Sequence, residues 1–253
     1  MSRHLKQTIY GTLYLVILAL IVWGFYSSFF SSAPTCFDNK KNQNEEGIDC
    51  GGSCQKICLP ENIREIKVVE AKIFPLENGN ATLLGVVNDP NADYAIKNFT
   101  YNFNITKANA TSSVSILSGN SFIYPEEKAY LIFPNAAYQP APGDKLEITL
   151  SNLEWVKKEN FEKPDITIKN YTIIETQEGI RIEGVIFNDT FSPISDVRVF
   201  VILHNQFQKA IGVSQTFINL ESKKSTTFSI FHPLIEGFRK ELTVIDFSTL
   251  PNN

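Results

Sequence analysis

Four cysteines, all between Cys36 and Cys58, enclose a run of oxygen-bearing side chains: Asp38, Asn39, Asn42, Asn44, Glu45, Glu46 and Asp49. Three chemistries suit that pattern. Closely spaced cysteines in an oxidising compartment form disulfides, and four of them allow three pairings. A Cys36–Cys50 bridge, for instance, would close a loop of about 15 residues, worth roughly 3 kcal/mol through restriction of the unfolded chain. So short a segment has no core of its own and needs such staples. Second, Ca²⁺ takes about six to eight oxygen ligands, so Asp38, Asn42, Glu45 and Asp49 in a pinned loop form a candidate calcium site. Gly47, Gly51 and Gly52 supply the left-handed turns that a wrapped loop needs. Third, Cys36, Cys50, Cys54 and Cys58 could give zinc four thiolates. Oxidation of those thiols disfavours zinc.

The same residues resemble a cysteine-rich surface motif of the form C-x-D-x-x-x-N-x-x-E-x-G-x-D-C-G-G-x-C. Asp38, Asn42, Glu45, Gly47, Asp49, Cys50, Gly51, Gly52 and Cys54 match it. That motif occurs next to the membrane or between modules in envelope proteins and is similar to short calcium-binding repeats. The resemblance implies a surface location and a calcium-binding role for this segment.

The element before the cysteines sets their compartment. From Gln7 to Thr35 no side chain is charged. Ile9–Phe30 predicts a helix of roughly 22 residues and about 33 Å, enough for a hydrocarbon core of about 30 Å. Arg3 and Lys6 precede the span and no basic residue follows until Lys40. The positive-inside bias therefore puts residues 1–8 in the cytoplasm and everything after the span outside it. A cleaved signal peptide is the rival reading, but its apolar region usually has about 7–15 residues. Pro34 would also follow the scissile bond at Ser31-Ser32-Ala33. The expected protein is a single-pass cell-membrane protein with an extracytoplasmic C-terminal part, and the disulfide-rich segment spans 31–60.

From Ile63 onward the pattern is strand and turn. Phe99, Tyr101, Phe103 and Ile105 alternate with Thr100, Asn102, Asn104 and Thr106, which predicts one face on a core and one in water. Further candidates are 66–74, 81–87, 114–117, 122–124, 129–133 and 146–153, separated by Asn/Gly/Pro turns. Seven short strands in about 95 residues predict a β-sandwich over 61–157. The second half, 164–250, repeats the order at offsets of about 95–100 residues. Gly85 pairs with Gly184, Asn88-Asp89 with Asn188-Asp189 and Ile96 with Ile194. Phe122-Ile123 pairs with Phe217-Ile218, and Ile132-Phe133 with Ile230-Phe231. One extra residue between Gly184 and Asn188 calls for a bulge. Lys157–Pro164, charged and poor in apolar residues, is the expected linker.

Each half is similar to the FxLYD-type and related immunoglobulin-like envelope domains. Gly184-Val-Ile-Phe-Asn188, Val197–Leu203, Ala210-Ile-Gly-Val213 and Ser225–Phe231 follow their order, with Pro125-Glu-Glu-Lys128 at a turn of the first half. The name-giving Tyr-Asp is absent, with Ile105-Thr106 and His204-Asn205 in its place. The resemblance implies two immunoglobulin-like sandwiches in tandem and no particular activity. The expected fold is thus an all-β ectodomain behind one transmembrane helix.

Little here points to catalysis. Of three histidines only His204 and His232 follow the span, and neither belongs to a Ser-His-Asp, HExxH or phosphate-loop pattern. Glu45-Glu46 and Glu126-Glu127 fall in predicted turns and do not form an acid/base dyad. A net charge of −4 disfavours nucleic acid as a partner, and no small-molecule substrate is implied. Phe191, Phe207, Phe231 and Phe238 either pack in the core or form an apolar surface for a protein. Strand edges could also accept an added strand. Asn80, Asn98, Asn104, Asn109, Asn170 and Asn188 each open an Asn-x-Ser/Thr sequon. In a chain this rich in asparagine such triplets arise readily by composition, although Asn98 and Asn104 fall on a polar face where glycans fit. The expected work is non-enzymatic: a membrane-anchored binding or spacer protein with an envelope-protein partner. The alternative is an accessory subunit of an export, pilus-like or cell-wall-processing complex.

Overall fold

The computed structural model describes residues 3–29, 35–42, 44–54, 56–108 and 113–250. They fall into two compact units, Met1–Leu59 and Pro60–Asn253. The first unit begins with one unbroken helix, α1, over Arg3–Phe29. Its stretch Lys6–Ser27 is long and apolar enough to cross a membrane, a property that signal sequences share. Three of its hydroxyls are satisfied within the helix: those of Thr8, Thr12 and Ser27 donate to the carbonyls of His4, Thr8 and Gly24 at 2.9, 2.9 and 3.1 Å. That matters because lipid offers no alternative partner. The expected span is helical as far as Phe29, and Phe30 lies outside the described residues.

Among the described residues the second unit holds twelve strands. They are β1 Lys67–Pro75, β2 Ala81–Asn88, β3 Tyr94–Thr106, β4 Ser113–Ile123, β5 Lys128–Ala136 and β6 Lys145–Lys157, then β7 Ile166–Glu175, β8 Gly179–Asn188, β9 Ile194–His204, β10 Ala210–Leu220, β11 Ser225–Pro233 and β12 Val244–Ser248. Four antiparallel sheets result, ordered β1-β2-β5, β4-β3-β6, β11-β8-β7 and β10-β9-β12. The second half therefore has the strand order of the first. The alternation in β3 falls as the sequence predicts, with Phe99 and Phe103 fully buried and Ile105 nearly so. These residues pack with Leu83, Ile96, Ile123 and Leu131 into the first core, while Ile180, Ile182, Ile186, Val197, Val199 and Phe228 build the second.

Among the described residues each half has six strands rather than seven. Segments 114–117 and 122–124 are one strand, β4, because Ser118-Gly119-Asn120 continues the ladder opposite Asn102, Tyr101 and Thr100. Gly119 marks a close approach: a Cβ there would meet the Tyr101 hydroxyl at 2.6 Å. The expected bulge between Gly184 and Asn188 is also absent from the β8–β11 ladder, which runs without a shift, and the bulge lies in β7 between Ile168 and Asn170. The structural counterpart of Asn188 is Asp89, one residue later than type-matching suggests. The Asp89 N–H donates to the Glu127 carbonyl just before β5, and the Asn188 N–H to the Lys224 carbonyl just before β11. Both side chains close the same turn, accepting from the amides of Asn91 and Thr190 at 2.9 Å each. By the same ladder count Phe133, not Ile132, matches Ile230.

The halves are not beads on a linker. Sheets β1-β2-β5 and β10-β9-β12 pack face to face through a third core of Leu84, Val86, Ile132, Phe200, Ile202, Ala210 and Val213, flanked by Phe74 and Tyr130. The result is four β layers. β2 is buried on both faces over Ala81–Val87, and β9 is buried from Val199 to Leu203. Each side chain of this size taken out of water is worth roughly 1.5–3 kcal/mol, so the shared core binds the halves firmly. The expected linker is pinned as well. Lys158–Asn160 form a 3-10 turn, the Lys158 N–H donates to the Asp93 carbonyl at 3.0 Å, and Phe161 is buried against Tyr124 and Phe122.

Candidate functional site

In the first unit, the cysteine segment is a knot whose pairing is Cys36–Cys54 and Cys50–Cys58. Cys36 thus skips Cys50 and pairs with Cys54. The turn that carries Cys54 back explains the choice: the Cys54 N–H donates to the Gly51 carbonyl at 3.0 Å and the Gly51 N–H to the Lys56 carbonyl at 2.8 Å. Gly47 lies against the second bridge, where a Cβ would sit 2.8 Å from the Cys50 sulfur and 2.9 Å from that of Cys58. Asn39, Asn44 and Asp49 adopt positive φ, a backbone region that these two residue types tolerate best after glycine.

The four proposed calcium ligands come together as cross-braces of this knot. Asp49 accepts the N–H groups of Asp38 and Asn39 on Oδ1 at 3.0 and 3.2 Å, and Asn39 again on Oδ2 at 3.0 Å. Asp38 accepts the Lys40 N–H at 3.0 Å and the Asn42 side-chain amide at 2.9 Å. The Asn42 amide, with the Lys40 and Thr35 N–H groups, holds the Asp38 carboxyl below its usual range against a smaller opposing effect of desolvation. Glu45 is 5% exposed and accepts the N–H groups of Asn42 and Asp49 on Oε2 at 3.1 and 3.2 Å. Its Oε1 lies 3.1 Å from the Cys54 sulfur, which has no proton to donate because it is disulfide-bonded. Cys36, Glu45 and Cys54 lie within 4.8 Å of one another, but the bridge consumes both thiols. The zinc set therefore has no thiolate. For calcium, the uncommitted donor is Asn42 Oδ1, which is buried without a hydrogen-bond partner.

In the second unit, the residues that most resemble a site lie where the halves meet. Lys163 donates to both Glu127 oxygens at 2.8 and 3.0 Å, and its Nζ lies 5.1 Å from the Phe247 ring centre and 5.9 Å from that of Tyr124. Burial pushes the Asp246 carboxyl up, against the pull of the Phe247 N–H and Lys163. Burial likewise pushes the Tyr124 phenol up, and its hydroxyl donates to the Thr249 carbonyl at 2.9 Å. Arg198 donates to the Tyr130 carbonyl at 2.8 Å and stacks over Phe200 at 5.7 Å. Glu127, Lys163, Arg198 and Asp246 line a cavity of about 20 Å³, room for about one water. Beside it runs an open groove of about 530 Å³ with Phe122, Phe217 and Leu250 in its walls. The sequence singles out Glu127 only as half of a turn pair and Phe122 and Phe217 only as repeat partners, not as members of one site. The available signal was the pair of unbroken apolar runs, Leu83–Val87 and Val199–Leu203, which mark strands covered on both faces.

The remaining candidates sort by exposure. Phe191 is 89% exposed, Phe207 70% and Phe231 51%, while Phe238 packs against the second core. Lys223 covers the Phe191 ring at 4.2 Å. Phe207 occupies the β9–β10 turn and Phe231 the end of β11, which is the same end of the second sandwich by strand direction. His232 lies half-buried with its ring over Gly212, and burial lowers its pKa below the usual imidazole value. Glu127 is engaged by Lys163, and Glu126 adopts a positive φ in the adjoining turn.

No family model matches the chain, and no curated protein matches it. Among solved structures it is similar to a red sea bream transglutaminase, at 12% identity over 74% of this chain with a TM-score of 0.21. It spans 30% of that enzyme's length. A Momordica charantia 7S globulin gives 8% identity over 72% of this chain and 83% of its own, with a TM-score of 0.15. Scores this low carry no argument about function.

Proposed function

We propose that this chain is a non-enzymatic spacer or binding protein of the cell envelope, held by α1 with its N-terminus in the cytoplasm and its β layers on the far side. The observation that carries this reading is the shared third core. A protein whose work is chemistry needs a cleft with converging groups. Here the best-buried surface between the halves is instead spent on joining them through Leu84, Val86, Ile132, Phe200 and Ile202. A preformed block of four β layers suits a load-bearing or presenting role. The matching strand order supports descent of the halves from one module by duplication. The two disulfides agree with an oxidising compartment.

A second reading, an accessory subunit of an envelope complex, draws on exposed Phe207, Phe231 and Leu234 and on the groove by Phe217 and Leu250. Replacing residues 9–30 with an unrelated apolar helix and crosslinking in the native membrane separates the two. A spacer keeps its function and its neighbours. Loss of a crosslinked partner on helix replacement alone favours the accessory subunit. Calcium binding by Asp38, Asn42, Glu45 and Asp49 is part of the proposal, supported by the unpartnered Asn42 Oδ1 beside the Asp38 carboxylate.

A further inference from the structure

The outward face of the β4-β3-β6 sheet carries a neutral polar patch along its central strand. One residue in five of the chain is charged, yet the outward row of β3 reads Asn98, Thr100, Asn102, Asn104 and Thr106. Ser118 and Asn120 stand beside it on β4, and Thr149 and Ser151 on β6. All nine are neutral and polar, and the charged residues of this face, Lys145, Glu147 and Glu154 of β6, flank them opposite Thr106, Asn104 and Asn98. Weak side-chain bonds join some of them, such as Thr100 to Asn120 at 3.1 Å and Asn104 to Thr149 at 3.2 Å. Two sequons, Asn98-Phe-Thr100 and Asn104-Ile-Thr106, lie on this one row. Strand geometry puts each asparagine and its threonine on the same face, with Phe99 and Ile105 pointing into the core. The two asparagines are six residues apart, about 20 Å along the strand, so two branched substituents fit side by side.

The remaining sequons behave differently. Asn188 is fully buried, and its side-chain amide donates to the carbonyls of Ser192 and Glu221 at 2.9 and 3.2 Å. A sugar on that nitrogen would break the corner that opens β9. Asn80 sits in the β1–β2 turn bonded to Asn135 at 2.8 Å. Asn170 is exposed at the β7 bulge, and Asn109 lies outside the described residues.

We infer that Asn98 and Asn104 carry N-linked glycans and Asn188 does not, so that the outward face of β4-β3-β6 is a sugar-covered surface. The donor is a lipid-linked oligosaccharide. The asparagine Nδ2 bonds to the anomeric carbon of its first sugar, the bond from that carbon to the lipid phosphate or diphosphate breaks, and the amide gives up one proton. The sugars hydrate the neutral centre of the face and reach over its β4 and β6 edges. This inference rests on the proposed extracytoplasmic placement of the β layers.

The test is peptide mass spectrometry of the full chain isolated from its own membranes, with intact cells first treated with an amine reagent that cannot cross the membrane. The expected result is sugar-bearing peptides containing Asn98 and Asn104, a bare peptide containing Asn188, and labelled lysines in the β layers. Asn98→Gln and Asn104→Gln should each remove one step of gel mobility. Labelled lysines with bare Asn98 and Asn104 overturn the glycan inference alone. Unlabelled lysines with bare asparagines overturn the placement and the glycans together. Sugar on Asn188 contradicts the structural sorting.

Discussion

Removal of one ring from the junction between the halves should be felt on both sides of it. Phe200 belongs to β9 in the second half and is 1% exposed, 4.8 Å from the Tyr130 ring of the first half and beneath Arg198. Phe200→Ala removes a fully buried aromatic and leaves a cavity that two packed sheets cannot readily close, a change that costs about 3–5 kcal/mol. In a chain of this size each kcal/mol lowers the midpoint by about 2–4 °C, so the expected fall is about 6–20 °C. Trp155 provides a local probe, because it packs against the first core while Phe200 does not. Thermal unfolding of the full chain in detergent, followed by Trp155 fluorescence and by circular dichroism, should show both signals moving down together. Trp23→Phe clears the fluorescence background from α1. Phe207→Ala, at a residue 70% exposed in a turn, is the control and should stay within about 0.5 kcal/mol. A Trp155 midpoint that ignores Phe200→Ala would refute the shared core.

Three further predictions concern the knot and the first corner. Peptide mapping without reductant should recover Cys36 joined to Cys54 and Cys50 joined to Cys58, and removing the longer bridge with Cys36→Ser and Cys54→Ser should cost about 3 kcal/mol; a Cys36–Cys50 peptide contradicts the knot. Burial pushes Asp89 above the usual carboxylate range, while Asn91 pulls it back less strongly. The folded chain then holds this proton to higher pH than the unfolded chain, so the Asp89 contribution is complete at acid pH and is lost as pH rises through the folded value. Asp89→Asn should therefore gain in melting temperature relative to the parent as pH rises above the ordinary carboxylate value of about 3.9, and a difference independent of pH would count against the buried anion. If calcium orders the knot, saturation at about 100 times its dissociation constant adds about 2.7 kcal/mol, and Asp38→Ala with Asp49→Ala abolishes the rise; no rise in the parent retires the metal.

Strand positions were legible where one face is wet and the other dry, as in β3 with Phe99 and Phe103 inward and Asn102 and Asn104 outward. The signal fails at Ser118-Gly119-Asn120, which has turn composition but sits mid-strand because Tyr101 fills the space over Gly119. Matching residue types rather than positions paired Asp89 with Asp189, whereas Asp89 and Asn188 share one role because either side chain can accept the amide two residues on. The junction was hidden by composition. Residues 157–164 look like a solvated linker, and the lone Phe161 that anchors them carries no periodicity to betray it. At the candidate site, the identity of the oxygen-bearing residues was plain, but not that Asp49 and Glu45 brace backbone amides, since that depends on turns whose φ values the composition does not display.

The proposed function turns on which side of a membrane the β layers occupy. Protease added to intact cells stripped of any outer barrier should digest a C-terminal tag placed after Asn253 while sparing one placed before Met1. Protection of the C-terminal tag, with the N-terminal tag cut or both spared, would contradict the proposed anchoring and the function built on it.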